Sequence, residues 1–153
     1  MTEESREPGA PEADMIKSRV RLKKARELAG KQPGDLAEFV GTNYYDLEDH
    51  NGELYYNISL GELSALSSAL GIKVRDLFDD GRSGGPAITP DQLIGMAKRH
   101  LNQTGISVSE FENQIGFKIE QCLSDPSKVV DWNVDFLRWL CREIGLDWRS
   151  ALP

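Results

Sequence analysis

The chain has few of the residues from which metal sites and disulfide frameworks are built. Its 153 residues include only two cysteines and two histidines. Cys122 and Cys141 lack the spacing of metal ligands, and His50 and His100 lie on separate segments with no cysteine nearby. We therefore expect two reduced, buried thiols and no metal site.

Long apolar runs are also lacking. No stretch of the sequence approaches the roughly 18–20 apolar residues that a membrane-spanning helix needs. Residues 1–13 are acidic and contain no apolar segment of the kind found in a secretory signal. Their Pro, Gly and Glu content predicts a disordered acidic tail over residues 1–13, and we expect a cytoplasmic protein.

The sequence contains no recognisable catalytic pattern. Residues 80–85, Asp-Gly-Arg-Ser-Gly-Gly, are rich in glycine, but they follow no predicted strand and lack the Lys-Ser/Thr ending of a phosphate-binding loop. No Ser-His-Asp or Cys-His arrangement is suggested. We expect that the protein is not an enzyme, and that it uses no cofactor and no small-molecule substrate.

Positive charge is scarce in the middle of the chain. The net charge is −7 at pH 7, and residues 32–72 contain no Lys or Arg. The same stretch contains the carboxylates of Asp35, Glu38, Asp46, Glu48, Asp49, Glu53 and Glu62. This composition counts against tight binding of nucleic acid, because that affinity comes largely from cations that neutralise phosphates. Basic side chains are concentrated instead in residues 17–26.

The most informative pattern that the sequence does contain is an internal repeat. Two glycines and two apolar residues recur after 75 positions, so that Gly30, Leu36, Gly41 and Leu47 correspond to Gly105, Phe111, Gly116 and Cys122. Further apolar positions recur after 74 positions, from Ile58 and Trp132 to Ile72 and Leu146. The repeat predicts two domains, residues 14–80 and 87–153, joined by a flexible linker at residues 81–86.

Helix boundaries recur in the same order in both copies. Three pairs have the spacing of a capping box, and two further residues can act as N-caps: Ser59 with Glu62, Thr89 with Gln92, Ser107 with Glu110, then Asp14 and Asn133. Glycines are placed to end helices at positions 30, 71, 105 and 145. The pattern predicts an all-helical chain with five short helices in each domain.

The apolar periodicity predicts which side chains form the core. In the first helix, these are Ile16, Val20, Leu22, Ala25 and Leu28. Helices are then expected at 33–40, at 43–49 and after Ser59, followed by a last turn before Asp79. The predicted core comprises Leu36, Phe39, Leu47, Leu63, Leu66, Leu70 and Phe78 in the first domain, and Phe111, Cys122, Leu137, Leu140 and Ile144 in the second.

The apolar residues and glycines of the first copy also match a known family. The matching residues are Leu22-Lys23-Lys24-Ala25-Arg26-Glu27, Gly30, Leu36-Ala37-Glu38-Phe39-Val40-Gly41, Leu47, Leu63, Leu66, Leu70-Gly71-Ile72 and Leu77-Phe78. This stretch resembles the Xre/Cro family of phage-repressor-like helix-turn-helix domains, and the second copy looks like a diverged duplicate. The resemblance implies two tandem five-helix domains of this kind in a transcriptional regulator that binds duplex DNA.

The resemblance also implies contact residues. In this family, the third helix of a domain enters the major groove, and residues near its N-terminus read base edges. By position these are Asn43, Tyr44, Tyr45 and Asp49 in the first copy. In the second copy they are Lys118, Ile119, Glu120 and Ser124, with Gln121 adjacent to them. The candidates for phosphate contacts are Lys23, Lys24, Lys118 and Lys128.

A second interpretation is a protein-interaction module that kept the fold and replaced the DNA-binding surface. Tyr44, Tyr45, Tyr55 and Tyr56 lie within 13 residues of one another, beside acids. Tyrosines are enriched where proteins bind one another. The partner would then be another protein or a second copy of this chain. A positive face over the second and third helices of either domain would favour DNA instead.

Overall fold

The computed structural model describes residues 12–78, here called the first half, and residues 86–153, here called the second half. Every regular element in these two ranges is a helix, which confirms the all-helical class for this part of the chain. The first half contains α1 (Glu12–Leu28), α2 (Pro33–Leu36), a 3₁₀ turn (Ala37–Phe39), α3 (Tyr44–Asp49), α4 (Glu53–Tyr56), α5 (Leu60–Leu70) and α6 (Arg75–Phe78). The second half contains α7 (Pro90–Thr104), α8 (Val108–Ile115), α9 (Glu120–Ser124), a 3₁₀ segment (Pro126–Asp131), α10 (Val134–Ile144) and a 3₁₀ segment (Trp148–Ala151).

The elements of the two halves follow one another in the same order. Helices α5 and α10 each have 11 residues, and α10 begins 74 positions after α5. By their place in this order, α3 corresponds to α9, α4 to the Pro126–Asp131 segment, and α6 to the Trp148–Ala151 segment. The order of the elements therefore matches the repeat, and α5 and α10 also match in length.

Glycines end the corresponding helices in the same backbone conformation. Gly71 and Gly145 have φ angles of 72° and 76°, and their N–H groups donate to carbonyls in the last turns of α5 and α10. Glycine adopts this left-handed conformation without the steric cost that other residues incur. The correspondence does not extend to Gly41, because only Gly116 of that pair has a positive φ.

The predicted capping residues begin their helices. The boxes of Ser59 and Glu62, Thr89 and Gln92, and Ser107 and Glu110 each have both reciprocal hydrogen bonds. The side chain of Asn133 accepts from the N–H of Phe136 at 2.8 Å. Asp14 was assigned wrongly as an N-cap, since it lies inside α1.

Helix α1 buries only part of the predicted face: Leu22 is buried and Ala25 packs against the core, as expected. Ile16, Val20 and Leu28 are exposed, whereas Ser18 and Leu22 are buried. The Oγ of Ser18 donates to the carbonyl of Asp14 at 3.0 Å, so that burying this hydroxyl leaves no orphaned donor. The prediction was wrong for Ile16, Val20 and Leu28, because the apolar residues of this helix are divided between two sides.

Two shorter features also differ from expectation. The predicted helix 33–40 is a single α-turn, α2, followed by a 3₁₀ turn that ends at Phe39. Helix α4 was not predicted, because its one turn is too short to show a period. Phe39 and Ile144 are half-buried at the edge of the core rather than inside it.

Buried apolar side chains of both halves form one continuous core. The remaining predicted core residues are buried: Leu36, Leu47, Leu63, Leu66, Leu70, Phe78, Phe111, Cys122, Leu137 and Leu140. Cys122 and Cys141 are both free and buried. Whether residues 14–80 and 87–153 fold as separate domains stays a prediction.

Two predicted segments lie largely beyond these ranges. Of the acidic tail predicted at residues 1–13, only Glu12 and Ala13 are described, and they belong to α1. Of the linker predicted at residues 81–86, only Pro86 is described, and it precedes α7 outside any helix. The rest of both segments lies outside the described residues.

Candidate nucleic-acid interface

The N-terminus of α3 presents one tyrosine to solvent and buries the next. Asn43 caps the helix, and its side-chain oxygen accepts from the N–H of Tyr45 at 3.1 Å. Tyr45 is 57% exposed and Tyr44 is 2% exposed. Because residues in a helix are about 100° apart around its axis, neighbours cannot share a face. Tyr44 is therefore not available to a base edge or to a protein partner, which corrects that expectation.

Tyr44 belongs to a buried polar network that joins α3 to α1. Its hydroxyl donates to Glu48 Oε2 at 2.6 Å. The guanidinium of Arg26 donates to both oxygens of the same carboxylate, Nε to Oε2 at 2.6 Å and Nη2 to Oε1 at 3.0 Å. This is the two-pronged geometry in which arginine binds carboxylates most strongly. The network fixes how α3 lies against α1.

The network also sets the ionisation of its members. Burial by itself would raise the pKa of Glu48, but the hydrogen bonds from Arg26 and Tyr44 outweigh it and hold that pKa below its ordinary value. Burial, followed by the hydrogen bond to Glu48, raises the pKa of Tyr44. Glu48 is therefore a structural carboxylate, and it is not a surface acid that repels phosphates.

The remaining exposed groups of α3 are acidic or neutral. Asp49 is exposed, and Asp46 lies 3.5 Å from His50 Nε2. Asn43 is exposed, although its side-chain oxygen is used by the cap. No lysine or arginine is present between residues 32 and 72 to balance these acids. The exposed surface of α3 is therefore poorly suited to phosphates.

The four-tyrosine surface predicted from the sequence does not exist as one patch. Tyr55 is buried, with its ring 5.3 Å from that of Phe78 and 6.2 Å from that of Trp148. Its hydroxyl lies 3.4 Å from Ser18 Oγ. The alternating exposure leaves Tyr45 and Tyr56 at the surface and puts Tyr44 and Tyr55 in the core.

In the second half, a buried carboxylate holds the turn between α8 and α9. Glu112 Oε2 accepts from the N–H of Ile119 at 2.7 Å and of Glu120 at 3.2 Å. Its other oxygen, Oε1, lies 3.7 Å from Lys118 Nζ. Lys118 is 88% exposed, so its ammonium group reaches into solvent at the start of α9. No sequence signal distinguished Glu112 from the other acids of α8.

The first half holds the corresponding turn with a carboxylate from another position. Glu62, the capping-box partner of Ser59, also accepts from the N–H of Gly41 through Oε2. One side chain thus caps α5 and anchors the turn before α3. Both turns are fixed in this way by carboxylate-to-backbone hydrogen bonds.

An open cavity of about 460 Å³ lies beside α9. Its lining includes three of the predicted contact residues, Lys118, Gln121 and Lys128. Two carboxylates, Glu120 and Asp131, and two buried side chains, Cys122 and Trp132, complete the lining. Burial raises the pKa of the Cys122 thiol, so this thiol stays protonated at neutral pH. The structure therefore brings together the predicted contacts of the second half, in a setting whose charges balance.

The two predicted phosphate contacts on α1 point in different directions. Lys23 lies close enough to Glu48 for its charge to lower the pKa of that carboxyl group. Lys24 lines a separate groove of about 280 Å³ with Leu28, Leu70 and neighbouring residues. These adjacent lysines do not form one cationic site.

Comparison of the chain with models of protein families, with curated proteins and with solved structures gave no match. Within residues 12–78 and 86–153, no helix is both long enough and apolar enough to cross a bilayer. The same residues contain no group of three or more His, Cys, Asp or Glu side chains that could hold a metal ion.

Proposed function

We propose that the protein is a transcriptional regulator that binds duplex DNA through the second half, with α8 and α9 as its helix-turn-helix. The observation that carries this proposal is the cavity beside α9, which is lined by Lys118, Gln121 and Lys128. Lysines neutralise phosphates, and a glutamine side chain can donate to and accept from a base edge. This is the combination that a small DNA-binding surface requires.

The charge balance of the same surface predicts how strong the binding is. Glu120 and Asp131 line the cavity with the two lysines. Carboxylates close to phosphates reduce the gain from each lysine, so we expect weak binding that is detectable at low ionic strength and lost at physiological salt.

A salt series on duplex DNA of random sequence tests the proposal. Wild type should bind with a logarithmic salt slope of about −2, since two phosphate contacts contribute roughly −0.9 each. Lys118→Gln combined with Lys128→Gln should abolish binding. Lys98→Gln combined with Lys73→Gln removes the same charge from other exposed positions, and it should keep the slope. The proposal fails if folded wild type shows no salt-dependent binding at low ionic strength.

The acidic surface of the first half favours a second candidate, recognition of a basic protein. Tyr45 and Tyr56 are exposed large side chains in a stretch without lysine or arginine. Binding of an oligolysine peptide, measured by calorimetry, should weaken in Asp46→Asn with Asp49→Asn. The charge-matched variant Asp91→Asn with Glu110→Gln should bind as wild type does; equal loss in both variants would reject this candidate.

A further inference from the structure

The contacts between the two halves follow a reciprocal pattern. Helix α10 of the second half packs against α4 of the first, and α5 of the first half packs against the Pro126–Asp131 segment of the second. By the spacing of the repeat, α5 corresponds to α10, and α4 corresponds to the Pro126–Asp131 segment. The contact of α10 with α4 is therefore the counterpart of the contact of α5 with the Pro126–Asp131 segment, with the roles of the two halves exchanged.

The third contact joins an element to its own counterpart. Helix α6 packs against the Trp148–Ala151 segment, which occupies the same place in the second half. A contact between two equivalent elements lies on the axis of a two-fold arrangement, and exchanged pairs lie on either side of it. The three contacts together have the pattern of a self-complementary dimer interface.

Hydrogen bonds at the starts of α5 and α10 follow the same reciprocal pattern. The N–H of Leu60, the first residue of α5, donates to the carbonyl of Trp132 at 2.7 Å. In the opposite direction, Asn133 at the start of α10 donates through Nδ2 to the carbonyl of Tyr56 at 3.0 Å. Each helix start is thus bonded to the backbone segment that precedes the other one.

We infer that the protein is a single-chain pseudo-dimer, in which the two halves are each other's partner across a self-complementary interface. Phe78, Tyr55 and Trp148 fill the centre of this interface with ring contacts of 5.3–6.2 Å. The guanidinium of Arg138 lies 5.5 Å from the Tyr55 ring and 5.8 Å from the Trp148 ring. Because the interface is filled from within the chain, it is closed to a second copy.

One engineered disulfide tests the observed contact. A Cβ built on Gly61, the second residue of α5, lies 3.6 Å from Val130 Cβ. Disulfides join Cβ atoms about 3.5–4.5 Å apart. Gly61→Cys with Val130→Cys should therefore close within one chain under mild oxidation of dilute, full-length protein. Cys122 and Cys141 are buried and should stay reduced.

A second disulfide tests the reciprocity itself. The counterparts of Gly61 and Val130, 74 positions away, are Asp135 and Tyr56. Asp135→Cys with Tyr56→Cys should also close within one chain, whereas the control Gly61→Cys with Lys98→Cys should stay open. Intact mass, peptide mapping and light scattering report closure, position and oligomeric state.

The outcomes separate the alternatives. Closure of both pairs within a monomer supports the pseudo-dimer. Closure of the first pair alone overturns the two-fold relation, and disulfides that form only between chains overturn the intramolecular interface. Sedimentation equilibrium of the wild-type protein gives a test that does not depend on whether the variants fold. It should give the monomer mass of 17.1 kDa at all concentrations, and reversible dimerisation would overturn the inference.

Discussion

At the scale of single residues, burial decides what the acidic, tyrosine-rich stretch around α3 can do. The Glu48 carboxylate is 8% exposed and accepts hydrogen bonds from Arg26 and Tyr44. Its charge is therefore compensated inside the fold, and the partly exposed Asp46 and the exposed Asp49 determine the potential of the surface. A buried carboxylate is tolerated only when it is paired in this way.

Removing the cation should leave this carboxylate buried without compensation. Arg26→Met keeps most of the apolar stem, and we expect it to lower the free energy of unfolding by about 1.5–3 kcal/mol at pH 7, the usual cost of losing hydrogen bonds to a charged group. Urea unfolding measures the loss. Lys24→Met, an exposed neighbour on the same helix, is the control and should cost little.

The cost should depend on pH with a defined sign. Because the pKa of Glu48 is lowered in the fold, its contribution to stability is complete above the ordinary value of 4.5 and is lost as the pH falls below it. The difference between wild type and Arg26→Met should therefore be largest near pH 7 and shrink below pH 4.5. A difference that is constant between pH 7 and pH 3 would show that the ion pair is not its cause.

At the scale of elements, helix boundaries could be predicted where the boundary residue itself supplies the bond. Ser59, Thr89, Ser107 and Asn133 cap the helices that follow them, as expected, because an N-cap interaction is local in sequence. The buried face of α1 could not be predicted in the same way. Ile16 and Val20 form an apolar pair on one side, and Leu22 and Ala25 form another on a second side. Tertiary packing determines which pair faces the core, and it is the pair that contains Leu22.

The candidate site was predicted unevenly for the same reason. Lys118, which the repeat aligns with Asn43, and the neighbouring Gln121 line one cavity, and their role in binding stays a prediction. Tyr44 is held through Glu48, which Arg26 pairs from α1, and Tyr55 packs against Trp148 of the other half; both partners are distant in sequence. Contacts of that kind leave no periodic signal in one chain.

Two N-caps of similar local chemistry should differ in their cost of removal. Thr89 caps α7 through the N–H of Gln92, and Thr89→Ala should cost about 1 kcal/mol. Asn133 caps α10 and also donates to the carbonyl of Tyr56 in the other half. Asn133→Ala should cost about 2 kcal/mol, because a second hydrogen bond is lost. Equal losses in urea unfolding would mean that the contact between the halves adds nothing.

At the scale of the whole molecule, the aromatic residues provide separate probes for the two halves. All three tryptophans, Trp132, Trp139 and Trp148, belong to the second half, and all four tyrosines belong to the first. All tryptophan fluorescence therefore originates in the second half. The rings of Trp148 and Tyr55 meet in the interface, where a loss of contact between the halves is also visible to this probe.

A truncation in the first half should therefore be detected by tryptophans in the second. Leu66 is fully buried in α5, and Leu66→Ala should lower the free energy of unfolding by about 2–4 kcal/mol. If the shared core makes the chain one cooperative unit, the tryptophan-detected midpoint should fall by about 1–2 M urea. Ser64→Ala, at an exposed position of the same helix, should leave the midpoint unchanged. A tryptophan midpoint unaffected by Leu66→Ala, with tyrosine-detected unfolding shifted, would show that the halves unfold independently and that their interface contributes little to stability.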